Sequence, residues 1–188
     1  MARTEAGMDH KLDEILAGAY LEGLTERPVA DLRSLRAECQ AVETQLSYLR
    51  RLVQGRHDIV AGEVERRRSG GDPDDVHGLV ERLPEILSDR VRGPGPGRLP
   101  TTIETDEPTG RLADRLAAIA GSVAFDAPHS VDDADLDAAE RQLAELEAEV
   151  SALRRAVFDR IDAVEAELTA RYRDGSAHVD DLLANRSE

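Results

Sequence analysis

Two stretches of this chain place apolar residues at alternating steps of three and four. The first runs Leu32, Leu35, Cys39, Val42, Leu46, Leu49 and Val53, then Val60 after a break at Arg56. The second runs Leu136, Ala139, Leu143, Leu146, Val150, Leu153, Val157, Ile161, Val164 and Leu168. Such spacing keeps one stripe of a helix against a partner helix, the seam of a coiled coil. Aromatic residues are 3% of the chain, Trp is absent and charged residues are 34%. That composition disfavours a large globular core, and the prevalence of Ala, Glu, Leu, Arg and Asp favours long helices over sheets.

The first long helix is expected from about Val29 to Arg68. It ends in Arg66-Arg67-Arg68 and the glycines Gly70 and Gly71, a basic last turn followed by helix-stopping residues. The second is expected to start near Ser130, where Asp132, Asp133 and Asp135 suit a helix N-terminus, and to stop at Gly175. Upstream, Leu12, Ile15, Leu16, Tyr20 and Leu21 predict one short amphipathic helix from Asp9 to Leu24. A shorter helix is expected over 74–88, although Pro84 stands against it. The Gly/Pro alternation from Arg92 to Pro100 reads as a flexible linker continuing to about Thr109. The apolar segment from Leu112 to Ile119 fits a helix or a mobile stretch, and Val179, Leu182 and Leu183 fit one or two last turns. The expected divisions are 1–27, 28–69, 70–129, 130–175 and 176–188. The first is a short helix, a candidate partner contact or a segment packed on its own coil. The second and fourth are the coil helices, and the third holds a short helix and the linker. The last is a tail.

A polar pattern lies over both seams. Glu43, Ser47, Arg50, Gln54 and Asp58 recur 104 residues later as Glu147, Ser151, Arg154, Phe158 and Asp162. The template is E-x3-S-x2-R-x3-Q-x3-D, broken only by Phe158. At about 100° per residue the five side chains fall in a strip roughly 80° wide and about 22 Å long. Between positions 42 and 64 the same shift gives ten identities, so the repeat covers packing and polar positions together. Antiparallel pairing of the repeat centres sets position 31 opposite 173 and 69 opposite 135, which covers both helices end to end. It also places a two-fold relation between Arg50 and Arg154 and brings both strips to one shared site. Each motif residue from Glu43 to Gln54 follows a seam residue by one, so the strips flank the seam. The expected fold is therefore all-α: a long antiparallel two-helix coiled coil with short flanking helices and a flexible Gly/Pro linker.

Two readings of the strips stand. One is a solvated flank of ion pairs in a ligand-independent structural or adaptor coiled coil. The other is a ligand site built twice. Arg offers a planar fork to phosphate or to guanine O6 and N7, Asp accepts two hydrogens from a guanine edge, and Ser and Gln donate. Arg51 and Arg155 are further candidates, and Arg56 and Arg160 add positive charge. The set suits a symmetric, anionic guanine nucleotide.

Other chemistry is poorly supported. The net charge of −15 disfavours direct DNA binding but permits a partner with a basic surface. His10, His57, His77, His129 and His178 lack metal-ligand spacing, and the single cysteine, Cys39, lies on the seam. Asp72, Asp74 and Asp75 around Pro73 read as helix-start residues, and no glycine loop for phosphate is present. No catalytic or metal residue is expected, nor a membrane span or signal peptide, and the expected compartment is the cytoplasm.

The twin motif resembles the RsiG family of actinobacterial anti-sigma factors, also described as aerial mycelium formation proteins. The segment ECQAVETQLSYLRRLVQGR over 38–56 is similar to that family as well. The resemblance covers both long helices and, more loosely, the short N-terminal one. It implies an antiparallel coil that binds an intercalated dimer of cyclic di-GMP and, when liganded, sequesters a WhiG-type sigma factor to repress sporulation genes. It further implies that Arg50, Asp58, Arg154 and Asp162 make the main ligand contacts. Glu43, Ser47, Glu147 and Ser151 would contact the ligand or orient those side chains. Gln54 fits the family template. Phe158 departs from it, either as a base-stacking contact or as a neutral loss.

Overall fold

The computed structural model describes residues 7–70 and 109–175. The expected helix over 74–88, the Gly/Pro stretch to position 108 and the tail 176–188 lie outside the described residues. The described elements are α1 (Gly7–Leu16), a 3-10 turn (Gly18–Leu21), α2 (Val29–Arg68), α3 (Arg111–Ser122), a 3-10 turn (Pro128–Ser130) and α4 (Asp133–Arg173). All are helical.

Local chemistry explains the ends of the long helices. The Pro28 carbonyl accepts from the amides of Asp31 and Leu32 at 3.0 and 3.1 Å, and proline's fixed φ suits that position. Asp132 does the same for α4, accepting from Asp135 and Leu136 at 3.1 and 3.0 Å. Ser130 instead turns its hydroxyl onto the Ala127 carbonyl. Both helices stop before a glycine in the left-handed region, Gly70 at φ 69° and Gly175 at φ 78°.

The described residues fall into two compact units. The first holds 7–50, 109–111 and 148–175, and the second holds 51–70 and 112–147. In the first, Leu32 packs with Val164 and Leu168. Further up α2, Glu43 meets Arg154. In the second, Gln54 meets Glu147 and Arg67 meets Asp133. Within each unit, then, each step up α2 moves the contact down α4, and the two long helices run antiparallel as the register of the repeat predicts. The seam residues Leu32, Cys39, Val42, Leu46, Leu49, Val53 and Val60 are buried, as are Leu136, Leu143, Leu146, Val150, Val157 and Val164. Leu35 and Leu153 are only half-buried.

The N-terminal segment differs from expectation. It is not one helix to Leu24: α1 ends at Leu16, Ala17 takes an extended ψ of 143°, and a 3-10 turn follows. Arg160 of α4 donates Nε to the Ile15 carbonyl and Nη2 to the Leu16 carbonyl, both at 3.3 Å, satisfying groups that the end of a helix leaves open. Past the break, Tyr20 turns inward. Its hydroxyl donates to the Leu35 carbonyl at 3.2 Å and accepts from the Cys39 thiol at 3.4 Å. Burial pushes both ionisations up, so hydroxyl and thiol stay protonated. Met8, Leu12 and Ile15 are buried, and Lys11 pairs with Glu38 at 2.8 Å, so α1 packs on its own coil.

The segment from Leu112 to Ile119 does form a helix, and α3 buries Leu112, Leu116 and Ile119. These are Met8, Leu12 and Ile15 of α1 shifted by 104 residues. The shift extends to two arginine clasps. Arg171 donates Nε to Glu167 at 2.7 Å, and its Nη2 to the carbonyls of Leu24 and Thr25 at 3.2 and 2.7 Å. Arg67 donates Nε to Glu63 at 2.7 Å, and its Nη2 to the carbonyls of Pro128 and His129 at 3.2 and 3.0 Å. Every member of one clasp lies 104 positions from its counterpart. The chain is thus two copies of one plan, a short helix, a turn and a long helix: α1 with α2, and α3 with α4.

Candidate functional site

The motif positions project from α2 and α4 beside seam residues, so burial of the seam fixes where they emerge. Glu43, Ser47, Arg50, Gln54, Glu147, Ser151 and Arg154 are half-buried, whereas Asp58, Phe158 and Asp162 are exposed. The seam covers one side of each strip and solvent the other.

In the first unit the two copies engage each other directly. The Ser47 hydroxyl donates to Glu43 Oε1 at 2.6 Å. Arg154 Nε points at the same Glu43 oxygen at 2.8 Å and at Ser47 Oγ at 2.7 Å. The Arg154 guanidinium lies over the Phe158 ring, 4.8 Å from its centroid. Four motif residues therefore form one cluster. Arg50 and Ser151 are half-buried beside their seam residues Leu49 and Val150. Asp162 stands apart from the cluster and lines a shallow groove of about 480 Å³ with Glu165, Ala166, Thr169, Ala170 and Arg173.

In the second unit Gln54 Nε2 donates to Glu147 Oε1 at 2.8 Å. Asp58 lies outside that bond, its carboxylate 3.9 Å from His57 Nδ1. The two copies differ in chemistry at position four of the motif: Gln54 donates a hydrogen bond to Glu147, whereas Phe158, its counterpart, has no hydrogen-bond donor and offers a ring face to Arg154.

Two expected contributors of charge are occupied elsewhere. Arg56 stacks on Phe125, 5.5 Å from the ring centroid, and Arg160 caps α1. These equivalent arginines hold the segments before the long helices. Arg51 and Arg155 are exposed. The clasps at Glu63 and Glu167 are only partly legible in the sequence: the 104-residue shift relates Arg67 to Arg171, but helical spacing does not say which backbone carbonyls those arginines reach.

Glu63 is a buried carboxylate in the second unit. It is 8% exposed and accepts from Arg66 at 2.6 and 2.8 Å and from Arg67 at 2.7 Å. Hydrogen bonds from Arg66, opposed by burial and reinforced by Arg67, hold its carboxyl down at about 2. Among the described residues no helix is long and apolar enough to cross a membrane, and no group of three or more His, Cys, Asp or Glu is placed to hold a metal.

No curated protein matches the chain. A family model described as RsiG-like matches residues 18–87 and 124–186. Each matched segment carries one copy of the motif, and the match leaves out α1 and all of α3. Spanning most of the sequence, it shows that the chain belongs to the RsiG-like family.

Proposed function

We propose that this chain is an anti-sigma factor armed by cyclic di-GMP. Family membership supports a regulatory anti-sigma role rather than an enzymatic one. The finer reading is that twin motifs bind cyclic di-GMP, as an intercalated dimer, and that the liganded chain sequesters a WhiG-type sigma factor and represses sporulation genes. Sigma factors act on RNA polymerase, so the proposed compartment is the cytoplasm.

The observation that carries the nucleotide reading is the state of Arg154. Both of its hydrogen bonds leave from Nε, and among the described residues its two terminal nitrogens have no hydrogen-bond partner. Those nitrogens are the fork that meets phosphate or a guanine edge. The ion pair with Glu43 uses Nε and leaves that fork open to a ligand.

Equilibrium dialysis of the full chain against labelled cyclic di-GMP, with cyclic di-AMP as competitor, tests the reading. Saturable binding that cyclic di-AMP fails to displace is expected. Absence of binding favours the ligand-independent coiled-coil adaptor, for which Gln54–Glu147 and Glu43–Arg154 would be structural links only.

A further inference from the structure

We infer that Phe158 is a positioning residue for Arg154, holding its guanidinium as a fixed fork that selects guanine over adenine. The inference rests on the proposed nucleotide reading and adds the group that sets base selectivity in the first unit. Three contacts meet on this one guanidinium. Glu43 and Ser47 take Nε at 2.8 and 2.7 Å, and the Phe158 ring lies against the guanidinium with its centroid 4.8 Å from Cζ. The hydrogen bonds fix the course of the side chain. The ring fixes the tilt of its plane, because a cation is drawn to the electron-rich face of an aromatic ring.

Glu43 does not act as a competitor for the ligand. Glu43 takes only Nε, which leaves the two terminal nitrogens available to an acceptor. Nor is Phe158 a core residue: it is 36% exposed and lies next to the seam residue Val157, not on the seam. Its place one turn beyond Arg154 on α4 puts the two side chains on the same helix face.

Base selectivity follows from the donors. Guanine presents two acceptors, O6 and N7, to an arginine fork, whereas adenine presents N7 and an N6 donor that repels it. A mobile guanidinium can leave the base edge for a phosphate, which both nucleotides carry. A clamped one cannot, so loss of the ring lowers selectivity as well as affinity.

The test uses the full chain and its Phe158→Tyr and Phe158→Leu variants, titrated with cyclic di-GMP and cyclic di-AMP, with melting temperature as the control for folding. Phe158→Tyr keeps the ring face and is expected to bind within about twofold of the parent. Phe158→Leu keeps bulk without a ring face. It is expected to bind cyclic di-GMP roughly tenfold more weakly, at unchanged melting temperature, with a smaller affinity ratio between the two nucleotides. Leu binding like the parent overturns the positioning role and leaves the nucleotide reading standing. A parent chain that binds no cyclic di-GMP overturns that reading and the inference with it. Should the Leu variant melt early, Phe158→Met carries the test: a smaller affinity ratio between the two nucleotides supports the clamp, and the parental ratio overturns it.

Discussion

Glu63 is a buried carboxylate between two arginines, and its ionisation is tied to folding. Its folded value of about 2 lies below the ordinary 4.5, so folding favours the charged form. The stability this supplies is present above about pH 4.5 and is lost as pH falls towards 2. Glu63→Gln is expected to cost about 2–3 kcal/mol at neutral pH, since it weakens charged hydrogen bonds. It should also flatten the acid limb between pH 4.5 and 2, as read from urea midpoints across that range. An unchanged acid limb would place the acid sensitivity elsewhere. For the ligand, Arg154→Ala is expected to weaken cyclic di-GMP binding by about 1.5–3 kcal/mol, measured by calorimetry, because arginine serves charged or two-point acceptors there. At this scale the sequence was informative about which residues share a face, because helical steps of three and four are fixed by the backbone. It did not show that Arg154 would bond Glu43 and Ser47, or that Gln54 would bond Glu147. Those contacts depend on the side chains of the opposing helix.

The helices show the same division. Both long helices were legible to within a few residues, since seam, basic last turn and glycine stop all agree. The break at Ala17 was not, because Arg160, which satisfies the carbonyls that the break leaves open, lies far along the sequence on α4. Nor was the start of α3. Its first amide, Arg111 N–H, donates to Asp9 Oδ2 at 2.8 Å, and a methyl group on Gly110 would lie 2.7 Å from that oxygen. Gly110 also has φ 101°, where a side chain is strained. Gly110→Ala is therefore expected to destabilise the fold by about 1–3 kcal/mol in urea unfolding. For α1, Leu12→Ala removes a fully buried side chain and is expected to cost about 2–5 kcal/mol. From sequence alone the N-terminal segment suits a sigma contact, or packing on its own coil or on the helix expected over 74–88. The burial of Met8, Leu12 and Ile15 makes the packing role explicit. Truncating residues 1–25 should lower the melting temperature whatever it does to sigma binding.

The molecule as a whole is a duplicated plan within one chain. The shift of 104 residues relates α1 to α3, α2 to α4, and one arginine clasp to the other. The motif region of this repeat was plain in the sequence because polar identities are easy to align. The flanking helices were not, since Met8 against Leu112 and Leu24 against Pro128 conserve position and burial or backbone role, not residue type. Duplication alone would leave two equal motifs, but the chain carries Gln54 in one and Phe158 in the other, so the two copies are expected to bind similarly and unequally. With a net charge of −15, the chain is suited to a basic protein partner rather than to DNA. If the nucleotide arms the protein for that partner, linkage requires each to strengthen the other's binding by the same factor. The most direct measurement is the affinity of the full chain for a WhiG-type sigma factor, with and without saturating cyclic di-GMP. Sigma binding that tightens with the nucleotide, roughly fivefold or more, is the predicted result. Equal sigma affinity in its presence and absence would contradict the account.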